Sequence, residues 1–122
     1  MTSLRYDNIR PNYYLSRWQY YETARYDLNP TELKHAKVFF NALKNLDKRS
    51  LAVLTDIFYF SRDYTSADKR GYYQTVRAIP SSLLAKKCGV SVDKFGNMRR
   101  EAQFKLKREM RKVAKQITEG VD

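Results

Sequence analysis

The sequence predicts an all-α fold: a small helical domain with a C-terminal helix-turn-helix whose second helix is extended. Apolar residues recur at steps of three and four through most of the chain, which is typical of amphipathic helices. Pro11, Asn29 and Asp47 stand where such segments begin, and Gly89 separates two of them. We expect a single domain over residues 1–122, with aromatic-rich N-terminal helices in 1–46 and the helix-turn-helix part in 47–122.

The first 28 residues are rich in Tyr and carry one helical stripe, with Pro11 as its start signal. The stripe consists of Tyr14, Trp18, Tyr21 and Arg25. Its aromatic residues can pack on the core as a first helix. Alternatively they bind a partner helix or polymerase, because rings with polar tips suit interfaces, or they stack on single-stranded bases.

The next two helices have clear N-terminal signals. Asn29 can cap a helix, Pro30 fits its first position, and Glu32 can reach back to the cap amide. Asp47 can cap the helix that follows. The expected apolar faces comprise Leu33, Ala36, Phe39 or Phe40, Leu43 and Leu46 in the first of these helices, and Leu51, Leu54, Ile57, Phe58 and Phe60 in the second.

Residues 61–80 interrupt the helical pattern. They are polar, include Gly71, and place Lys69, Arg70 and Arg77 among several Tyr residues. We therefore expect an insertion that forms a loop or loosely ordered connector, with no more than one short helix or hairpin.

Residues 81–100, SSLLAKKCGVSVDKFGNMRR, have the pattern of a helix-turn-helix. Leu84 and Cys88 share one face of the first helix, so we expect Cys88 to be buried as a small hydrophobe. Gly89 can adopt the left-handed conformation of a sharp turn, where a side chain would cost roughly 1 kcal/mol. Val90 can then fill the angle between the two helices.

The second helix of the motif is expected to extend from about Val92 to Gln116, roughly 37 Å at about 1.5 Å per residue. Its apolar stripe comprises Phe95, Met98, Ala102, Leu106, Met110, Val113 and Ile117. Only its first two turns can enter a DNA groove while this stripe packs on the core. Its C-terminal half must therefore cover the helix at 48–60 or a second subunit.

The composition is that of a basic, folded protein. Lys and Arg total 24 against 13 Asp and Glu, and the net charge of +11 favours a polyanionic partner, either nucleic acid or an anionic membrane. Apolar residues make up 43%, which argues against disorder, and a single Cys fits a reducing cytosol. The N-terminus lacks a signal-peptide pattern, and the longest apolar run is too short to span a bilayer. We expect a cytoplasmic, nucleoid-associated protein with no membrane partner.

The positive charge is concentrated towards the C-terminus. Residues 86–115 hold eleven basic and three acidic residues, so most of the net charge coincides with the helix-turn-helix. This coincidence favours DNA binding, although a Lys- and Arg-rich helix can also be an ordinary solvated face.

Two stretches resemble the DNA-binding fourth region of bacterial sigma factors. Residues 46–54, LDKRSLAVL, are similar to its leading helix, and the two-helix motif is matched by Leu84-Ala85-Lys86-Lys87, Val90-Ser91, Phe95, Ala102 and Leu106. The resemblance covers about half the chain, which departs from the pattern in its insertion and in Gly96. The layout also resembles the ArpU/RinA-type regulators of late phage transcription. It implies a DNA-binding activator or repressor that acts on a phage promoter beside host RNA polymerase.

On this interpretation the start of the second helix contacts base edges. The candidates are Ser91, Lys94, Asn97 and Arg100. Asn97 can bond adenine N6 and N7, and Arg100 can bond both guanine acceptors. Phosphate contacts are assigned to Lys86, Lys87 and Arg99. In the insertion, Lys69, Arg70 and Arg77 can add phosphate contacts or form a wing, or they can belong to an ordinary solvated loop.

Two neighbouring positions each allow two interpretations. Asp93 can accept a bond from cytosine, but capping the helix suits its charge better. Gly96 either leaves room for a base or sugar, or is a helix glycine that costs about 1 kcal/mol.

Catalysis and metal binding have little support. His35 is the only His and is expected on the surface, and neither a Cys/His cluster nor a phosphate-binding Gly loop is present. We expect no enzyme and no cofactor. The leading hypothesis is a sequence-specific regulator that binds double-stranded DNA, as a homodimer. The alternatives are a packaging adaptor similar to the small subunit of a phage terminase, and a modulator that binds RNA polymerase.

Overall fold

Helices account for most of the computed structural model, which describes residues 9–118. They are α1 (Pro11–Ser16), α2 (Trp18–Thr23), α3 (Pro30–Lys44), α4 (Lys48–Leu54), α5 (Ser81–Cys88) and α6 (Val92–Thr118). A π-helical segment, Thr55–Tyr59, continues α4. Over the described residues the only β-type pairing is two isolated bridges. The predicted all-α class is confirmed.

The N-terminal caps of α3 and α4 form as predicted. Asn29 Oδ1 accepts from the Glu32 amide at 2.8 Å, and the Asn29 amide donates to Glu32 Oε1 at 3.1 Å, which completes a capping box. At α4 the Ser50 amide donates to Asp47 Oδ2 at 3.1 Å. Hydrogen bonding from Ser50 lowers the pKa of Asp47 to about 2.

The Tyr-rich N-terminal segment packs into the core. Tyr14, Trp18 and Tyr21 are buried, and the Trp18 ring meets Phe39 of α3 edge to face with centroids 5.6 Å apart. The expected helix is interrupted at Arg17, where α1 ends and α2 begins. Arg25, expected at the end of the stripe, lies beyond α2 and is exposed.

The apolar stripe of α6 is buried within this chain. Phe95, Ala102, Leu106, Met110 and Val113 are buried, whereas Met98 and Ile117 are half-buried. The helix packs against α1, α3, α4 and α5. Its C-terminal half therefore covers helices of the same chain and needs no second subunit for that purpose.

Two residues expected on the apolar faces of α3 and of the helix after Asp47 are exposed. Leu33 borders an open groove of about 760 Å³ between α2 and α3. Phe60 ends the π-helical segment, where its amide bonds Thr55 O at 3.1 Å. Ile57 and Phe58, predicted on the same face, are buried, so only Phe60, which follows the π-helical segment, leaves that face.

A buried arginine, which the sequence analysis did not single out, joins α1 and α2 to α3. Arg17 is 8% exposed, and its guanidinium lies 3.2 Å from Glu32 Oε2. It also donates to Gln74 Oε1 at 3.3 Å, while Tyr20 OH donates to Glu32 Oε2 at 2.7 Å. Glu32 therefore caps α3 with one oxygen and neutralises a buried charge with the other.

Residues 61–80 form an ordered, irregular hairpin. Antiparallel bridges join Tyr64 to Val76 and Ala67 to Tyr73. At its turn Gly71 has a φ of +90°, a conformation that favours glycine.

Hydrogen bonds tie this hairpin to the rest of the chain. The Val76 amide donates to Ser16 O of α1 at 2.9 Å, and the Ile79 amide donates to Ile57 O of the π-helical segment at 2.9 Å. From α2, Gln19 Nε2 donates to the carbonyls of Tyr59 and Ser61, both at 2.8 Å. The hairpin is one of the forms expected for this segment, but its anchoring bonds contradict the expected loose ordering.

His35 is half-buried, not a surface residue as expected. Its ring stacks on Tyr14 with centroids 5.4 Å apart, because the N-terminal helices cover this side of α3. Burial lowers the pKa of His35 below its usual 6.5.

Glu32→Ala is expected to destabilise the protein by roughly 3 kcal/mol, because it leaves the Arg17 guanidinium buried without a carboxylate. Asn29→Ala removes only the other half of the capping box and is expected to cost about 1 kcal/mol. Urea unfolding of both variants measures the difference. Equal losses would show that the Arg17–Glu32 contact adds nothing to the cap.

Acid is expected to destabilise the wild type more than a His35→Gln variant. The folded state lowers the pKa of His35, so below about pH 6.5 the unfolded state binds more protons than the folded state. The contribution of His35 to stability therefore falls as the pH drops below about 6.5. Unfolding free energies measured between pH 7.5 and about pH 5 test this. Parallel pH curves for the two proteins would contradict it.

Candidate nucleic-acid interface

The turn between α5 and α6 has the left-handed glycine that the sequence predicts. Gly89 has a φ of +71° and ψ of 30°. Its amide donates to Lys86 O at 3.2 Å, and the Val90 amide donates to Ala85 O at 3.0 Å. This pair of bonds is a Schellman motif, which satisfies the last carbonyls of α5 and reverses the chain sharply. Val90 is half-buried against the core.

Ser91 caps α6, which corrects the expected cap by Asp93 and the expected base contact by Ser91. Its Oγ accepts from the Lys94 amide at 3.1 Å. Asp93, favoured as the cap, instead lies exposed in the first turn of α6, where its charge still complements the helix dipole. Ser91 was expected to contact bases, but its side-chain oxygen is engaged by the helix that it starts.

Cys88 is exposed, not buried as expected. The residues that α5 buries are Leu84 and Ala85. Cys88 is the last residue of the helix, and the chain turns away at Gly89 before another element covers it.

Five of the candidate DNA-contacting residues are exposed around the turn: Lys86, Lys87, Lys94, Asn97 and Arg100. Within residues 9–118 none of their charged groups forms a salt bridge. Arg100 folds back over Gly96 and donates to Asn97 Oδ1. A Cβ at Gly96 would lie 3.6 Å from Arg100 Nη1. Asn97 and Arg100 therefore share one solvent-facing surface at the start of α6.

Arg99, expected to contact phosphate, lies half-buried inside the motif. Its guanidinium sits over the Phe58 ring at 5.7 Å from the centroid, and Nη1 is 3.5 Å from Ser81 Oγ. Arg99 thus links α6 to α5 and to the π-helical segment. We correct its role to a structural one, because helical spacing turns it towards these elements.

Arg70 is also engaged internally. It lies 2.9 Å from Asp68 Oδ2 and donates to Tyr20 OH at 2.7 Å and to Asp27 O at 3.0 Å. These partners fix the hairpin on α2, so Arg70 is corrected from a phosphate contact to an anchor.

The other two candidate phosphate contacts in the hairpin remain accessible. Arg77 pairs with Asp63 at 2.8 Å, but both side chains are more than half exposed, and such a pair is worth less than about 1 kcal/mol. Lys69 is exposed at the hairpin turn. The hairpin's bonds run to α1, α2 and the π-helical segment, so nothing places these cations on the surface of α5 and α6.

A row of exposed residues runs along α6, and only the residues in the first turns of the helix were predicted to have a role. We call it the outer stripe: Asn97, Arg100, Phe104, Arg108, Arg111 and Lys115, all exposed. Each follows the last by three or four residues, so together they form one face of the helix, opposite the buried stripe. The spacing alone could have revealed it.

Residues 9–118 contain neither a candidate metal site nor a membrane-spanning helix. No group of three or more His, Cys, Asp or Glu in that range could hold a metal ion. None of its helices combines the length and apolar character needed to cross a bilayer.

No family model, curated protein or solved structure matches this chain. The resemblance to sigma factors and to ArpU/RinA-type regulators therefore depends on the residues quoted for it above.

Two glycine substitutions are expected to have opposite effects. Gly89→Ala forces a side chain into the left-handed region and costs about 1 kcal/mol, although a Cβ there meets nothing within 4 Å. Gly96→Ala lies inside α6, where its Cβ meets only the mobile end of Arg100, and is expected to stabilise by up to about 1 kcal/mol. Thermal unfolding gives both signs. If Gly89→Ala leaves the unfolding temperature unchanged, the turn does not require a glycine at this position.

Proposed function

We propose that this chain is a transcription regulator that binds double-stranded DNA in a sequence-specific manner. One observation carries the proposal: the left-handed turn at Gly89 leaves Lys94, Asn97 and Arg100 exposed together on the first turns of α6. An exposed helix start that follows a short turn is the arrangement by which helix-turn-helix proteins enter the major groove.

The hydrogen bond between Arg100 and Asn97 has a consequence for recognition. In the free protein it satisfies an amide oxygen and a guanidinium N–H. A base pair must replace that bond, so a sequence that offers a guanine to Arg100 and an adenine to Asn97 is favoured over one that offers neither. The pair therefore supports discrimination between sequences as well as affinity.

Lys86 and Lys87 supply the sequence-independent part of the interface. They lie exposed in the last turn of α5, next to the turn that precedes α6. In this architecture the first helix crosses the sugar-phosphate backbone while the second enters the groove. Two lysines at that end of α5 suit contacts with phosphates, which position the protein without reading bases.

The resemblance to phage late-transcription regulators supports a promoter as the site of action and host RNA polymerase as a second partner. A motif of this size has a small interface, and pairing two copies on adjacent half-sites would increase both affinity and specificity. We therefore propose that a homodimer is the DNA-bound form.

Arg100→Ala and Asn97→Ala are expected to reduce sequence discrimination. A duplex selected from a random pool by the wild type serves as the specific site, and a scrambled duplex of equal length serves as the reference. Each variant is expected to lose about 1–3 kcal/mol on the selected duplex and little on the scrambled one. Fluorescence anisotropy at a stated salt concentration measures both.

Lys86→Gln is the matched control for this experiment. It is expected to weaken binding equally on both duplexes and to lower the salt slope by roughly one. If Arg100→Ala behaves in the same way, Arg100 does not read bases. If the wild type selects no sequence from the pool, the proposed regulator function is wrong.

A further inference from the structure

The outer stripe continues the proposed base-contacting surface along the whole length of α6. From Asn97 to Lys115 it covers five helical turns, or roughly 27 Å. Asn97 and Arg100 form its first turn, and Arg108, Arg111 and Lys115 form its far end. The surface that contacts bases and the distal cations therefore face the same direction.

The distal half of the stripe borders a shallow groove of about 440 Å³. Its lining residues are Phe104, Lys107, Arg108, Arg111, Lys112 and Lys115. Within residues 9–118, Lys112 is the only one of these cations with an acidic partner, Glu109 at 3.4 Å. The Phe104 ring is 66% exposed among them. Phe104 therefore offers one apolar contact in an otherwise cationic surface.

The charge of this groove restricts the partner to a polyanion. A second copy of the chain would bring like charges together and is disfavoured. A lipid surface is also disfavoured, because membrane-bound amphipathic helices insert an apolar face, whereas the apolar face of α6 is buried in the core. The regular row of cations instead suits the evenly spaced phosphates of a nucleic acid.

We propose that Phe104, Arg108, Arg111 and Lys115 bind the sugar-phosphate backbone of the same duplex whose bases the first turns of α6 contact. This inference rests on the proposed function and extends it. The major groove is about 12 Å wide. Phe104 lies roughly 10 Å along the helix from Asn97, and Arg108 to Lys115 lie roughly 16–27 Å along it. A straight helix that starts in the groove therefore brings Phe104 to a deoxyribose at the groove wall and the three cations to phosphates beyond it.

The test compares two charge-matched double variants in a salt titration of duplex binding. Arg108→Gln/Arg111→Gln removes two cations of the outer stripe. Arg25→Gln/Lys37→Gln removes two from the rim of the groove between α2 and α3. All four side chains are exposed, so both proteins are expected to fold, and circular dichroism checks this.

The outer-stripe variant is expected to lower the slope of log affinity against log salt by roughly two. Between 50 and 200 mM salt, it therefore loses about tenfold less affinity than the wild type. The Arg25/Lys37 variant is expected to keep the wild-type slope. Phe104→Ala is expected to weaken duplex binding several-fold without changing the slope, because it removes an apolar contact and no charge.

The outcomes separate this inference from the proposed function. If the wild type binds duplex and the outer-stripe variant keeps the wild-type slope, the inference is wrong while the proposed function stands. An equal change of slope in the Arg25/Lys37 variant would also overturn the inference, because the slope would then depend on net charge and not on the outer stripe. Tighter binding of the wild type to single-stranded DNA, or to vesicles containing phosphatidylserine, than to the duplex would overturn both.

Discussion

The burial of one face of α6 is the constraint on which the rest of the structure depends. Leu106 and Met110 are fully buried at the middle of the helix, and Phe95 and Val113 are buried towards its two ends. Removing one such side chain typically costs 2–5 kcal/mol, so rotation of the helix about its axis would be strongly unfavourable. The opposite face is therefore fixed towards solvent over its whole length. The direction of the basic surface follows from the packing of the core.

Features governed by neighbouring residues could be predicted from the sequence. The capping box of Asn29 and Glu32, the Asp47 cap and the left-handed Gly89 each depend on a few consecutive residues, and all three are present. The exposure of Asn97 and Arg100 also agrees with helical spacing. The π-helical segment did not follow from spacing, because an extra residue in one turn leaves no periodic signal. Ile57 and Phe58 in this segment are nevertheless buried as predicted, and only Phe60, which follows it, was assigned to the wrong side.

The roles of individual arginines could not be predicted, because they depend on partners distant in the sequence. Arg17 is neutralised by Glu32, 15 residues away, and Arg70 meets Tyr20, 50 residues away. Arg99 follows the buried Phe95 by four residues, so helical spacing indicates its inward direction, but its contact with Phe58 could not be predicted. All three are chemically suited to phosphate, but tertiary packing uses them to join elements. Net charge therefore does not indicate which cations remain free for a partner.

The hairpin at 61–80 and the first two helices are bound to each other more than either is bound to α5. Tyr64 OH donates to Gln19, Tyr72 OH donates to Asp27, and Gln74 receives the buried guanidinium of Arg17. Side-chain hydrogen bonds therefore join the hairpin and the first two helices into one packed unit. Removing the hairpin alone would take Gln74 away from the buried Arg17 guanidinium, and removing α1 and α2 alone would take Gln19 away from Tyr64.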